Sequence, residues 1–258
     1  MGEMVRWEHR EKIAIIILNR PEAANALSKQ LLSELKQLLQ TIKGQNDIQT
    51  VIITGSGPFF CAGADLKERK GMDEEEVKQA VQQIRSIINE VENVPQPTIA
   101  AINGAAMGGG LELALACDIR ITAQDAKLGL TETSLGIIPG AGGTQRLPRL
   151  IGKGRAKELI FAARKISGAE AETLGLVEYA VEAERVLEKA FELAKEFVEN
   201  APLSLRQAKI AVNKGMETDI MTGLKIEELA YNALLNSSDR IEGLKAFQEK
   251  RQPRYTGR

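Results

Sequence analysis

Short apolar runs recur along the first half of the chain, each closed by a turn signal, and this pattern limits the architectures open to it. Ile13 to Leu18 is an almost purely β-branched run ended by Asn19-Arg20-Pro21. Val51 to Thr54 is broken by Gly55-Ser56-Gly57-Pro58, Thr98 to Ile102 is closed by Asn103-Gly104, and Ile119 to Ala123 follows the same style. Runs of this length bounded by Gly, Pro and Asn read as buried strands. Between them lie helical patterns. Ser28 can cap a helix whose Leu31, Leu32, Leu35, Leu38, Leu39 and Ile42 recur on one face until Gly44, and a charged helix is expected from about Asp73 to Glu92, before Pro95 and Pro97. Strands returning about every 40 residues point to stacked strand-strand-helix turns. From about Val186 the pattern becomes almost wholly helical, with Pro202 marking a joint. A boundary near Asn200 is expected, dividing a mixed α/β core (1–199) that carries the site from a helical C-terminal region (200–258).

Composition narrows the function classes. At 258 residues, with 43% hydrophobic and 27% charged side chains, the chain can bury a sizeable core without staples. Lys and Arg number 34 against 35 Asp and Glu, for a formal charge of -1, so no global field points to nucleic acid or an anionic membrane. Cys61 and Cys117 have no second Cys or His nearby, which removes zinc-type spacing and reads as two reduced thiols. His9 is the sole histidine, so histidine triads and multi-histidine metal sites have too few residues. No metal site is expected. Without a long apolar stretch, and with a charged start at Glu3, Arg6, Glu8, His9, Arg10 and Glu11, the sequence reads as soluble and cytoplasmic.

Two glycine-rich segments carry the chemistry: Gly104-Ala-Ala-Met-Gly-Gly-Gly-Leu-Glu112 and Ile138-Pro-Gly-Ala-Gly-Gly-Thr-Gln-Arg146. The first lacks the Lys-Ser/Thr that ends a phosphate loop, and neither has the glycine order of a dinucleotide turn. Gly108 to Gly110 just before a helix would instead leave backbone N–H groups pointing outward, the construction of an oxyanion hole; a tight packing turn is the alternative. Glu112 is the one charged residue between Asn103 and Asp118. If buried among these small and aliphatic neighbours, its carboxyl would be shifted up toward neutrality, which suits a group that takes and gives protons. If partly exposed, it would be an ordinary carboxylate favoured by the helix N-terminus. Glu132, in Leu128-Gly-Leu-Thr-Glu-Thr-Ser-Leu-Gly136, gains meaning only beside Glu112.

Together with Leu18-Asn-Arg-Pro-Glu-Ala-Ala-Asn-Ala-Leu27, Phe60-Cys-Ala-Gly-Ala-Asp-Leu-Lys67, Gly136-Ile-Ile-Pro-Gly-Ala-Gly-Gly-Thr-Gln-Arg-Leu147 and Phe247-Gln-Glu-Lys-Arg-Gln-Pro253, these segments resemble the crotonase (enoyl-CoA hydratase/isomerase) superfamily over nearly the whole chain. The resemblance implies a crotonase-like α/β spiral of strand-strand-helix turns with a C-terminal helical trimerisation region. It implies that the N–H groups of Ala64 and Gly109 form an oxyanion hole for a thioester carbonyl. Glu112 is implied as the base that activates water, Glu132 as the acid that protonates the α-carbon, and the N–H of Gly140 as a further hold on that water. Ala62, Asp65, Leu66 and Lys67 are implied along the adenine and pantetheine path of CoA, which is part of the substrate, with no separate cofactor. Lys250 is implied at the phosphates of a CoA bound by a neighbouring subunit, within a trimer or a hexamer made of two trimers. Ala24 departs from the pattern, standing where many relatives carry a longer, often basic residue.

The resemblance leaves rivals. A double-bond isomerase shares the chemistry up to the enolate, but members specialised for it generally lack a carboxylate at the Glu112 position; hydrolases and decarboxylases of the fold are further options. A rival of another class is an RNA-binding protein, because Lys157-Glu-Leu-Ile-Phe-Ala-Ala-Arg164 and Lys250 to Tyr255 resemble the methylglutaconyl-CoA hydratase branch, some of which binds RNA. Lys29, Lys36 and Lys43 are too sparse on their helix to support it, and nucleic acid is not expected as a partner. The acyl group itself is unread, its tail expected against the Lys67 to Val77 segment.

Overall fold

The computed structural model describes residues 3–258. Strand β1 (Val5–Arg10) forms an antiparallel hairpin with β2 (Ile13–Leu18), pairing Val5 with Leu18 and Arg10 with Ile13. Helix α1 (Lys29–Lys43) follows, begun by the Ser28 hydroxyl, which accepts from the N–H of Leu31 at 3.2 Å. It buries Leu31, Leu32, Leu35, Leu39 and Ile42, while Leu38 packs only at the margin. The next turn of chain gives β3 (Thr50–Gly55), β4 (Phe59–Cys61), the single-turn α2 (Leu66–Arg69) and the long α3 (Glu74–Glu92), started by a reciprocal cap between Asp73 and Glu76.

Two further turns repeat the theme: β5 (Thr98–Ile102), β6 (Ala105–Met107) and α4 (Gly109–Leu115), then β7 (Ile119–Ala123) and β8 (Lys127–Gly129). After them come α5 (Gly143–Ile151), α6 (Lys153–Phe161), β9 (Ile166–Ser167), α7 (Gly168–Leu174), β10 (Tyr179–Val181) and α8 (Val186–Val198). Each turn sends its first strand into a six-stranded sheet, ordered β1-β2-β3-β5-β7-β10, and its second into a four-stranded sheet, ordered β4-β6-β8-β9. In the first turn the second strand shrinks to one parallel bridge, Leu27 with Ala64. The outcome is a spiral of strand-strand-helix turns, as the spacing predicts.

Both faces of the large sheet are covered, which is why its central strands are apolar at nearly every position. Ala14, Ile16 and Leu18 of β2 point toward α1, α3 and α4, whereas Ile13 and Ile15 point the other way. On that second face α8 lays Val186, Ala190 and Ala194 against Ile52, Ile99 and Ile121. The two alanines let the helix approach closely.

Beyond α8 lie α9 (Pro202–Gly215), α10 (Ile220–Asn232) and α11 (Ser238–Glu249). Lys209 ties α9 to the body through Asp118 (2.7 Å) and the carbonyl of Gln96 (3.1 Å). The tail returns along α11, where buried Asp239 accepts from the N–H groups of Thr256 (2.7 Å) and Gly257 (2.8 Å). Among the described residues, no helix is long and apolar enough to cross a membrane, and no three His, Cys, Asp or Glu gather as metal ligands. Cys61 and Cys117 are buried free thiols.

Candidate active site

The site forms where the small sheet meets α4. Gly108, at φ +50° and ψ -122°, turns the chain from β6 into α4, a conformation suited to glycine. The glycines therefore do not simply precede the helix: Gly109 and Gly110 are its first two residues. An N–H in the first turn has no partner within the helix. Alongside runs Cys61 to Ala64. A Cβ on Gly110 would lie 2.1 Å from the carbonyl oxygen of Cys61, and one on Gly63 would lie 3.0 Å from the nitrogen of Gly109. The nitrogen of Ala64 is 3.6 Å from the Cβ position of Gly109. The residues predicted as oxyanion donors are thus neighbours, and neither N–H donates to another group among the described residues.

Glu112, one turn into α4, is 2% exposed, so the buried alternative is the observed one. Its Oε1 accepts from the N–H groups of Ala141 (2.7 Å) and Gly143 (2.8 Å). Burial raises its pKa, opposed by those two donors and by the charges of Arg146 and Arg85, and the balance remains on the raised side. Arg146 holds the loop that holds Glu112. Its Nη1 donates to the carbonyl of Ala141 at 3.0 Å, while Nε and Nη2 grip Glu92 of α3 at 2.9 and 2.7 Å and Nη2 reaches Asn89. Arg85 of α3 fastens the same loop by donating to the carbonyl of Gly140 at 2.8 Å.

Glu132 opens a short 3-10 turn, Glu132–Leu135. Its carboxyl lies across the Gly108 corner, with Oε1 3.0 Å from the Cβ position of that glycine. A side chain there would displace the carboxyl. Oε2 is buried without a hydrogen-bond partner in the protein. Burial, with the charge of Glu112 adding to it, pushes its pKa up to about 7 against a hydrogen bond from its own N–H. The two carboxyls therefore feel one another, and both hold protons more readily than an ordinary glutamate. Such a pair can remove a proton from one atom and deliver one to another near neutrality.

The remaining predicted residues divide. Gly140 belongs to the loop that grips Glu112 and packs on Val81 of α3. Ala62 is exposed and donates its N–H to the carbonyl of Ala24 at 3.0 Å. Asp65 is buried and occupied by the protein: it pairs with Arg20 and caps α2 through the N–H groups of Lys67 and Glu68. Burial alone would push its carboxyl up, but Arg20 and those donors together hold it below the usual range. Leu66 and Lys67 are exposed on α2, and Lys250 is an exposed residue at the C-terminal end of α11, with φ +54°. Sequence reasoning assigned nothing to Arg20, Arg85 or Arg146. The arginine ending Gly-Gly-Thr-Gln-Arg146 was visible as a motif letter, but its grip on α3 joins positions 54 residues apart.

A spiral of paired strands that sets two carboxyls against two unengaged backbone N–H groups defines the class of crotonase-fold acyl-CoA enzymes. The chain belongs to the enoyl-CoA hydratase/isomerase family, whose pattern its residues 8–258 match. It is 52% identical to the mitochondrial methylglutaconyl-CoA hydratase of Mus musculus, over 97% of this chain and 81% of that one. The crystal structure of an enoyl-CoA hydratase from Bacillus anthracis superposes with a TM-score of 0.97 at 52% identity, covering 99% of this chain and 100% of the other. An enoyl-CoA hydratase from a Polaromonas species, 30% identical, still superposes with a TM-score of 0.93 over 97% and 99% of the two chains.

Proposed function

We propose that this enzyme adds water across the 2,3 double bond of a 2-enoyl-CoA to give a 3-hydroxyacyl-CoA, with Glu112 and Glu132 as the acid-base couple. The observation that carries the reading is the placing of a buried carboxyl gripped by two N–H donors, Glu112, and a half-buried one whose pKa is pushed up to about 7, Glu132, around the corner that presents Ala64 and Gly109. The thioester carbonyl rests on those two N–H groups. As hydroxide adds to the β-carbon, the double-bond electrons move toward the carbonyl oxygen, where donors already in place meet the developing charge. Glu112 takes the proton that water loses, using the oxygen that Ala141 and Gly143 leave open. Glu132 gives its proton to the α-carbon, and a proton passed between the carboxyls resets the site.

Ala62, Leu66 and Lys67 line the CoA path in this reading, with Asp65 shaping it through its pairing with Arg20. Lys250 meets the CoA phosphates of a neighbouring subunit. The exposed apolar faces of α9 to α11 support assembly as a trimer, or as a hexamer of two trimers, and the two free thiols support a reducing compartment, the cytoplasm. The name of the mouse relative, a methylglutaconyl-CoA hydratase, supports a short unsaturated acyl group. The test is loss of conjugated absorbance with a panel of enoyl-CoA thioesters. Glu112→Gln and Glu132→Gln are each expected to lower the rate about 10²–10⁴-fold. Undiminished hydration in either variant rejects the couple.

A further inference from the structure

The loop entering α5 is held by two sets of hydrogen bonds that pull in different directions. Three consecutive carbonyls on it are taken by arginines. That of Gly140 accepts from Nε of Arg85 at 2.8 Å, that of Ala141 from Nη1 of Arg146 at 3.0 Å, and that of Gly142 from the backbone N–H of Arg146 at 2.8 Å. The N–H groups of Ala141 and Gly143 turn instead to Oε1 of Glu112, at 2.7 and 2.8 Å. The peptide group between Gly140 and Ala141 therefore has Arg85 on its oxygen and Glu112 on its nitrogen, and hydrogen bonds at the two ends of one peptide strengthen each other. Glycine lets the clamp close. Gly142 has φ +111°, and a Cβ there would collide with Nη1 of Arg146. A Cβ on Gly143 would stand 3.1 Å from Oε1 of Glu112 and 2.8 Å from Leu130 Cδ1.

Both arginines act from α3. Arg85 belongs to that helix, and Arg146, on α5, has Nε and Nη2 fixed by the two oxygens of Glu92 and by Asn89, both of α3. A planar guanidinium bound by both carboxylate oxygens has little freedom to swing, so Nη1 stays aimed at Ala141. We propose that Arg85 and the Glu92–Arg146 pair are positioning residues for the base: they fix the loop so that two N–H groups stay aimed at one oxygen of Glu112, leaving its other oxygen to water. This rests on the hydratase reading above and deepens it. N–H donors held in place favour the ionised form that a base needs. The charges acting on Glu112 come from Arg85, Arg146, Arg69 at the end of α2, and Glu132. Glu92 separates holding from charge because it is an anion. If only charge mattered, removing it would favour ionised Glu112; if it anchors Arg146, removing it frees the loop and disfavours that form.

The experiment measures kcat and KM across pH, with the enoyl-CoA thioester hydrated fastest in the panel above, for wild type, Arg146→Met, Arg146→Lys, Arg85→Met and Glu92→Ala. Arg146→Met and Glu92→Ala are each expected to lower kcat about 10–100-fold with KM little changed, the worth of the charge-assisted hydrogen bonds removed. The deficit should be greatest on the acid side and shrink as pH rises, because a carboxylate robbed of its donors loses its charge at higher pH. Arg85→Met should show a smaller deficit of the same shape, since Arg85 is exposed, and Arg146→Lys should keep part of the rate. A deficit equal at every pH overturns the assignment, and so does a Glu92→Ala acid limb displaced to lower pH. Infrared titration of the protonated carboxyl band that vanishes in Glu112→Gln reads the same change without turnover, and in the variants that band should persist to higher pH. If no thioester is hydrated but the band behaves so, the hydratase reading fails and the positioning role stands. If wild type hydrates and the band is unmoved, the positioning role alone fails. Should Arg146→Met not fold, Arg146→Lys and Glu92→Ala decide by the same signs.

Discussion

Glu112 and Glu132 are the same amino acid held in different electrostatic states by what surrounds them. Two N–H donors stabilise the ionised form of Glu112, whereas Glu132 has an orphaned oxygen and an anionic neighbour, both of which favour its protonated form. The linkage to stability has a definite sign. A glutamate whose pKa rises from about 4.5 unfolded to about 7 folded stabilises the fold below the lower value, and that contribution is lost as pH climbs through 7. Glu132→Gln, which cannot ionise, should therefore unfold at higher urea than wild type at pH 8, by about 2 kcal/mol, with the gap closing near pH 4.5. A constant gap across that range would mean that Glu132 ionises normally. At this scale the sequence revealed more about Glu112 than about its supports. A carboxyl alone among small apolar residues is anomalous on inspection, but nothing local marks Arg146 as the clamp on its loop.

At the scale of elements, adjacent glycines in α4 carry different burdens. A methyl on Gly110 would meet the carbonyl of Cys61 at 2.1 Å, backbone against backbone with nothing flexible to yield. A methyl on Gly109 meets Leu27 Cδ1 at 3.3 Å, and the nitrogen of Ala64 and Cα of Gly63 at an ordinary 3.6 Å. Gly110→Ala is accordingly expected to destabilise by several kcal/mol, on the order of 3, or to yield no folded protein. Gly109→Ala should fold with a melting temperature close to wild type yet lose about 10²-fold or more in rate, because in the proposed mechanism the methyl would crowd the carbonyl oxygen off its two donors. Thermal melts beside initial rates separate the two cases, and comparable melting losses in both variants would contradict the geometry. The long strands and capped helices were legible because their apolar periodicity spans enough residues to stand out. The charged β1 was not, since its outward residues Arg6 to Arg10 are exposed and it lies at a sheet edge. The three-residue strands β4, β6 and β8 were missed for another reason. Each is too short to show alternation, and each pairs with a strand from a neighbouring turn of the spiral that offers it an edge.

At the scale of the whole molecule, the C-terminal helices carry an apolar surface that a monomer leaves in water. Met216 and Phe247 are 81% and 85% exposed, and Ile220, Met221, Leu224 and Leu229 are each at least half exposed. Patches of this kind mark association surfaces. Light scattering on the eluting protein should give three times or six times the chain mass, and Leu229→Glu should shift that mass downward by placing a charge in the buried patch. A monomeric wild type would reject the proposed assembly. Alternating strands and helices with the turn residues between them were enough, by themselves, to show a mixed α/β chain, and the glycine segments to single out Glu112, because those signals are local and periodic; the spiral was implied by the family resemblance. Tertiary structure alone decided that Ala64 meets Gly109 and that the carboxyl of Glu132 lies against Gly108. Those facts depend on segments far apart in the chain being stacked by the spiral, and neither pKa nor pairing is a property of a residue until its neighbours are in place.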